Sequence, residues 1–454
     1  MASNSETNSE DTSQSGEAEE VMEVVDPDNS DIEESDGEGG DKRVYLPGDP
    51  LDEGEMLVRD ETAYHMYHQA QTGAPCLSFD VLRDSLGENR TTYPHTLFAV
   101  AGTQAEKAHL NNVIVMKMTN LHRTSQKDDD DDSDEDSDSD DEDSKPELET
   151  AMMKHLGSVN RIRSTEIGQK QVAATWSDTG AVHLWDLSGA LQAVGNAQLM
   201  GRFMRQESHK PLFTFTGHQI EGFAMDWCPT IPGNLITGDC RRNIHLWKLQ
   251  EGGEWYVDQR PYAAHTESVE DLQWSPTEKN VFASCSVDKS IRIWDVRATP
   301  SKACMIMMEE AHSSDVNVIH WNQKDPFILS GGDDGVLNVW DLRQFQKKGP
   351  PVAKFKHHTG PITSVEWNPV DSTVFASAGS DDQVTLWDLS LERERETVME
   401  GQTGGSRLDD IAPQLLFVHQ GQSDIKEIHW HPQISGVIIS TAHSGFNIFK
   451  TISV

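Results

Sequence analysis

Serine, histidine and aspartate recur together in this chain in sets that a hydrolase could use. His265, Ser284 and Asp288 form one set, His312, Ser330 and Asp334 a second, and His358, Ser377 and Asp381 a third. In a nucleophilic triad the histidine takes the serine proton while the aspartate holds the imidazole. Such a site needs one poised serine in one cleft. Here the set is repeated, and six residues after each Asp stands a tryptophan: Trp294, Trp340 and Trp387. That pattern reads as a structural tetrad in which the indole N–H meets Ser, Ser meets His, and His meets Asp. Removing one member would strand a buried partner at about 1–3 kcal/mol. No catalytic residue is assigned, and the chain reads as a binding body, not an enzyme.

Metal and cofactor chemistry finds little to work with. His429 and His431 flank Trp430, and strand alternation would point both to one face, but two imidazoles do not complete a zinc site and no cysteine pair lies nearby. There is no phosphate-binding P-loop, no His-Glu-x-x-His and no dinucleotide fingerprint, so no cofactor is expected. Five cysteines in 454 residues, odd in number and sparse, together with an N-terminus lacking a basic-then-apolar leader, point to a reducing intracellular compartment. No run approaches 18 apolar residues, which excludes a membrane-spanning helix.

The elements that position these residues repeat. Trp185, Trp247, Trp294, Trp340 and Trp387 are separated by 62, 47, 46 and 47 residues, with Phe449 a further 62 along. A period near 46 is that of propeller blades. Each unit runs from a His through three strands with an Asp-containing turn to Trp-Asp. Degenerate copies start at His155, with Thr175 and Trp185, and at His419. The copy from His218, with Thr237 and Trp247, carries Arg241 where Asp is expected, so an incomplete tetrad is predicted there. The count is seven blades, near residues 90–127, 150–190, 212–250, 260–298, 308–345, 353–390 and 415–454. A strand from 43–58 is expected to close the ring beside the last blade, since an open ring leaves unpaired edges. Within 42–89, Asp60 is read as capping a helix to about Gln71, because Tyr64, Tyr67, His68 and Gln71 recur at helical spacing. Gly73 and Pro75 would end it.

Charge supplies the functional clue. Acidic residues number 76 against 37 basic ones, a net charge of −39. Residues 1–41 hold 15 acids and no base, and residues 128–143 hold 13 acids and three serines. Both tracts read as disordered, since so few apolar side chains cannot offset backbone entropy. The second reads as a solvated insertion that its host blade tolerates. Ser133, Ser137 and Ser139 each precede an acid by three positions, a pattern suited to acid-directed kinases, whose phosphate would deepen the charge. So acidic a chain repels a phosphate backbone, which makes direct, sequence-specific nucleic-acid binding a poor expectation and basic proteins good partners.

Beyond the repeat, VYLPG at Val44–Gly48, YHQAQTGAPCLSFD at Tyr67–Asp80, GDCRRNIHLW at Gly238–Trp247 and the C-terminal HWHPQISGVIISTAHSGFNIFKTISV closely resemble the histone-binding WD-repeat family related to retinoblastoma-binding chromatin proteins. The resemblance runs from Val44 to Val454 and implies an all-β, seven-bladed WD40 propeller with an N-terminal helix and disordered acidic segments, the ring occupying 90–454. It also implies a clamp for histone H4, or H3–H4, made by that helix and by an acidic loop at 391–413. Candidate histone-binding residues are Asp60, Tyr64, Tyr67, His68, Asp409, Asp410, Ile411 and Pro413. The acids would neutralise Arg or Lys while Ile411 covers the ligand's apolar stripe. The loop mixes in Arg393, Arg395 and Arg407, so the match to the family pattern is partial. The implied setting is the nucleus, nucleolus and chromatin, among pre-ribosomal and replication-origin complexes, with a basic large-subunit ribosomal protein as a second client. An alternative role as a cullin-4 ubiquitin-ligase substrate receptor is suggested by Trp294-Asp295-Val296-Arg297 and Trp340-Asp341-Leu342-Arg343, where Arg297 and Arg343 would face the adaptor.

Overall fold

The computed structural model describes residues 59–124, 145–206, 208–392 and 411–454. Seven four-stranded antiparallel sheets account for nearly all the regular structure of these residues. Blade I is Cys76–Leu82, His95–Thr103, Asn112–Leu121 and Glu147–Lys154. Blade II is Val159–Ile167, Lys170–Ser177, Val182–Asp186 and Phe213–Phe215, with helices Ser188–Ala193 and Ala197–Phe203 inserted before its last strand. Blades III to VI begin at Ala224, Val269, Val316 and Ile362, and blade VI ends with Leu415–His419. Blade VII is Glu427–Trp430, Val437–Ala442 and Gly445–Thr451, completed by Tyr64–Ala70 from the other end of the chain.

The apolar residues on strand faces bury against neighbouring blades rather than within their own. Among the described residues there are seven hydrophobic clusters, one at each blade junction. At the junction of IV and V, for example, Ala283 and Ile293 meet Val316 and Trp321. Blades approach closely enough that some second-strand positions must be glycine: a Cβ on Gly102 would strike Val159, and one on Gly331 would strike Ile362. Close packing of this kind is how a ring of separate sheets shares one core.

Three sequence expectations change. The predicted helix from Asp60 to Gln71 is a single 3-10 turn, Glu61–Ala63, capped by Asp60 through Thr62 N at 3.0 Å, followed by the strand Tyr64–Ala70. A bulge at His65, between the Tyr64↔Thr451 and Met66↔Lys450 pairs, places Tyr64 and Tyr67 on one face and so imitates a helical interval. Next, that strand closes the ring, pairing with Gly445–Thr451. The expected closing strand at 43–58 lies outside the described residues. Finally, blade I starts at Cys76, not near residue 90, so most of the described part of 42–89 consists of blade strands. The tracts 1–41 and 128–143 also lie outside the described residues, along with Ser133, Ser137, Ser139, Asp409 and Asp410.

Candidate functional site

The tetrads form as the spacing predicts. In blade IV, His265 Nδ1 is 2.9 Å from Asp288, Nε2 is 2.6 Å from Ser284 Oγ, and Trp294 Nε1 donates to that oxygen at 2.8 Å. Blade V repeats this with His312, Asp334, Ser330 and Trp340 at 3.0, 2.8 and 2.9 Å. In blade VI, His358 meets Asp381 and Ser377, while Thr385 enters the chain and takes the Trp387 N–H at 2.7 Å. Burial lowers the pKa of His265. Burial opposes charge on Asp288 as well, but its hydrogen bond from His265 outweighs that and holds the carboxylate ionised. The chain therefore runs in one direction, from indole N–H through hydroxyl and neutral imidazole to carboxylate. Ser284, Ser330 and Ser377 have no exposed surface, so their hydroxyls serve the core and none can reach a substrate.

Blade III corrects the sequence reading. Its tetrad is complete: His218 Nδ1 lies 2.8 Å from Asp239 and Nε2 2.8 Å from Thr237, which also accepts from Trp247 at 3.0 Å. The acid sits two residues before the expected position and still reaches the ring, which leaves Arg241 exposed outside the network. Blades II and VII solve the same problem without an acid. His155 Nδ1 uses the carbonyl of Gly157 at 2.9 Å. His419 uses the Tyr64 hydroxyl at 2.7 Å and stacks on Phe449, which stands in the Trp position, with ring centroids 4.0 Å apart.

The flank of blades VI and VII brings part of the predicted docking set together. Tyr64 packs edge-on against Phe417 of blade VI's outer strand at 5.4 Å, and that strand directly follows the 391–413 loop. Gln414 Nε2 donates to the Leu391 carbonyl at 2.8 Å, which pins the ends of the loop together. Tyr64 and Tyr67 are buried. The Tyr67 hydroxyl accepts from Asn447 and Gln69, and His68 meets the His122 carbonyl at 3.0 Å. Asp60 and Pro413 are exposed and Ile411 half-buried, and these supply the accessible surface. Thr124, the last described residue before the second acidic tract, is joined to the closing strand by Tyr67 N→Oγ1 at 2.8 Å and Thr124 N→His65 O at 3.1 Å. The described ends flanking all three extensions, at 59, at 124 and 145, and at 392 and 411, therefore lie on blades VII, I and VI, at the ends of strands that face the same way in neighbouring blades.

Arg297 and Arg343 occupy equivalent places in blades IV and V. Each is exposed and held two-pronged by the Asp of its own Trp-Asp pair, Asp295 or Asp341.

A second charged group, missed from the sequence, lines the centre of the ring. Glu427 accepts from Arg161 at 2.7 Å, Arg163 at 2.6 Å and the Phe79 backbone at 2.9 Å. His429 Nδ1 lies 2.8 Å from Glu366. Burial disfavours the charge on His429, but Glu366 and Glu427 overcome it and raise its pKa to about 10. Single charges within apolar inner strands were the available signal. The same polar positions tie blade to blade: Asp80 accepts from Ser164 N, Asp226 from Trp274 N, Asp271 from Ile319 N, His320 from Trp367 N and Glu366 from Trp430 N.

Comparison with known proteins agrees with this geometry. The model of the WD domain, G-beta repeat, matches residues 258–295, 304–341 and 349–388. A second family model, that of the histone-binding protein RBBP4 and its counterpart in the CAF1 complex, matches residues 54–122, which span the closing strand and the first three strands of blade I. The chain is 46% identical over 428 residues to Glutamate-rich WD repeat-containing protein 1 of Dictyostelium discoideum, covering 92% of this chain and 86% of that protein. It is 45% identical over 450 residues to Protein HEAT STRESS TOLERANT DWD 1 of Arabidopsis thaliana, covering 91% and 92%. With Ribosome assembly protein rrb1 of Schizosaccharomyces pombe it shares 39% identity over 431 residues, covering 93% and 87%.

Proposed function

Because the chain belongs to the glutamate-rich WD-repeat family, we propose that it is a non-catalytic escort for strongly basic proteins, acting in histone handling and in ribosome assembly. Its clients are histones, H4 or H3–H4 among them, and a basic protein of the large ribosomal subunit. Its place is the nucleus, the nucleolus and chromatin, including replication-origin complexes. Both tasks pose one physical problem: a cationic client must be shielded until its nucleic-acid partner is available.

The observation that carries this reading is the rooting of the acidic extensions. The chain holds 28 acids in two tracts, and without them its balance falls to 48 acidic against 37 basic residues. The described ends next to those tracts lie on adjoining blades, I and VII, joined by the Thr124–Tyr67 bond. A rigid ring thus gathers two sources of negative charge beside one flank, where the charge speeds encounter with a cation and the folded surface supplies selectivity. The exposed Asp60 and Pro413, with Ile411, Asp409 and Asp410, are the proposed contacts on that flank.

The test measures binding of isolated histones H3–H4 and of a basic ribosomal protein as salt is raised, for the full chain and for a variant lacking 1–41 with the acids of 128–143 neutralised. Binding should weaken with salt and fall in the variant. Equal affinity would reject a major role for the tracts.

A second reading, recruitment by a cullin-4 adaptor, draws support from the matched Arg297 and Arg343 fixed by Asp295 and Asp341 on neighbouring blades. Changing both arginines to Ala should abolish adaptor pull-down while histone binding persists. Undiminished pull-down removes this interface.

A further inference from the structure

The displaced acid of blade III leaves behind a small polar cavity. In blades IV, V and VI the turn position is filled by Asp288, Asp334 or Asp381, each engaged with its histidine. In blade III the position holds Arg241, because Asp239 does that work from two residues earlier. Asp239 is spent: it accepts from His218, from the backbones of Arg241 and Asn243, and from the Asn243 amide. It has nothing left to offer the Arg241 guanidinium.

That guanidinium lines a cavity of about 260 Å³ together with Gln219, Gln259, Asn243, His245 and Asp239. His245 is only 6% exposed. Its Nδ1 lies 2.8 Å from the carbonyl of Asp258, an oxygen that only accepts, so Nδ1 carries the proton and Nε2 presents a lone pair. Among the described residues Nε2 has no hydrogen-bond partner. The surrounding groups do not supply one: the His218 ring lies 4.8 Å away with both nitrogens engaged, Phe215 is apolar, and the Asp258 carboxylate is held by Arg260. The cavity thus offers a cation, amide donors and one buried acceptor, a set that suits an anion still carrying a proton.

We propose that this cavity binds a phosphate group, with Arg241 and the amides of Gln219 and Gln259 donating to its oxygens and His245 Nε2 sharing its remaining P–O–H proton. Inorganic phosphate and a phosphorylated serine side chain present the same chemistry. The site is independent of the escort role, which stands or falls on basic clients.

The experiment titrates inorganic phosphate, N-acetyl-phosphoserine amide and sulfate into the full chain at neutral pH and constant ionic strength. The readout is the His245 imidazole in histidine-selective NMR, assigned with His245→Gln. Phosphate should give a saturable shift. Sulfate, which has no proton to share, should bind about tenfold more weakly or worse. Arg241→Gln should abolish the shift with its thermal midpoint unchanged, and the neighbouring Arg242→Gln should retain it. Tighter binding of the phosphoserine amide than of phosphate assigns the site to a phosphorylated chain, and the reverse order assigns it to the free ion. Absence of a saturable shift, sulfate matching phosphate, or intact binding in Arg241→Gln overturns the proposal.

Discussion

The Tyr64 hydroxyl lies 2.7 Å from Nδ1 of His419, across 355 residues of sequence and at the seam where the ring closes. Asn447 Nδ2 donates to the other nitrogen at 3.2 Å, so Nδ1 carries the proton and the tyrosine oxygen receives it. His419 has no exposed surface and Tyr64 is 4% exposed. Tyr64→Phe keeps the ring packed against Phe417 and Phe449 while stranding one buried N–H. The expected cost is about 1–3 kcal/mol, read as a lower urea midpoint with an unchanged slope. A midpoint equal to the parent's would show that water or another group replaces the hydroxyl.

Asp239 and Arg241 make a paired test of the blade III correction. Asp239→Ala removes the acceptor for His218 and four further donor contacts at a residue 1% exposed, so a loss of about 3 kcal/mol is expected. Arg241→Ala should leave the thermal midpoint where it is. If Arg241→Ala proved the more damaging change, the assignment of the tetrad acid would be wrong.

What can be read from the sequence follows from periodicity, and what cannot follows from geometry that shifts a register. Evenly spaced Trp-Asp pairs suffice to count blades, and a fixed Ser-to-Asp interval suffices to find three tetrads. Blade III escapes because its acid lies two residues early, where only the folded turn shows that it reaches His218. The closing strand reads as a helix because the bulge at His65 breaks period-two alternation, and no local signal marks a bulge there. His419 likewise carries no acid to find, as its partner is a tyrosine from the far end of the chain. The inner-strand charges are visible individually, but their convergence on Glu427 exists only once the ring is closed.

Stability should fall on mild acidification. Burial pushes the pKa of His419 down to about 3 and that of His155 down to about 4, against about 6.5 in an unfolded chain. The unfolded state therefore takes up protons first. The stability contributed by these neutral rings is whole above about pH 6.5 and is lost as pH falls toward about 4. Each contributes a slope of about 1.4 kcal/mol per pH unit in that window. Asp288 remains ionised there and does not offset the loss. His429 has the opposite sign: with its pKa raised to about 10, its contribution is whole below about pH 6.5 and is lost as pH rises through about 10. Urea midpoints should drop between about pH 7 and about pH 5, and His419→Gln should shallow that drop. A flat profile would mean that these rings are charged in the folded state.

Glu427 should prove the most sensitive single position in the ring. Its side chain is 1% exposed and joins blade VII to blade I through Phe79 N and to blade II through Arg161 and Arg163. Burial opposes its charge, but the two arginines outweigh that and hold its pKa well below the usual carboxylate range. Glu427→Gln nearly preserves shape and keeps an acceptor for Phe79 while leaving two arginines without their counter-charge. Loss of one partner from a buried ion cluster costs about 3–5 kcal/mol, more than Tyr64→Phe at the outer edge of the same seam. The two substitutions therefore rank the inner and outer closures of the ring. If Glu427→Gln unfolded at a higher denaturant concentration than Tyr64→Phe, the closure would depend more on the outer strand than on the central ion cluster.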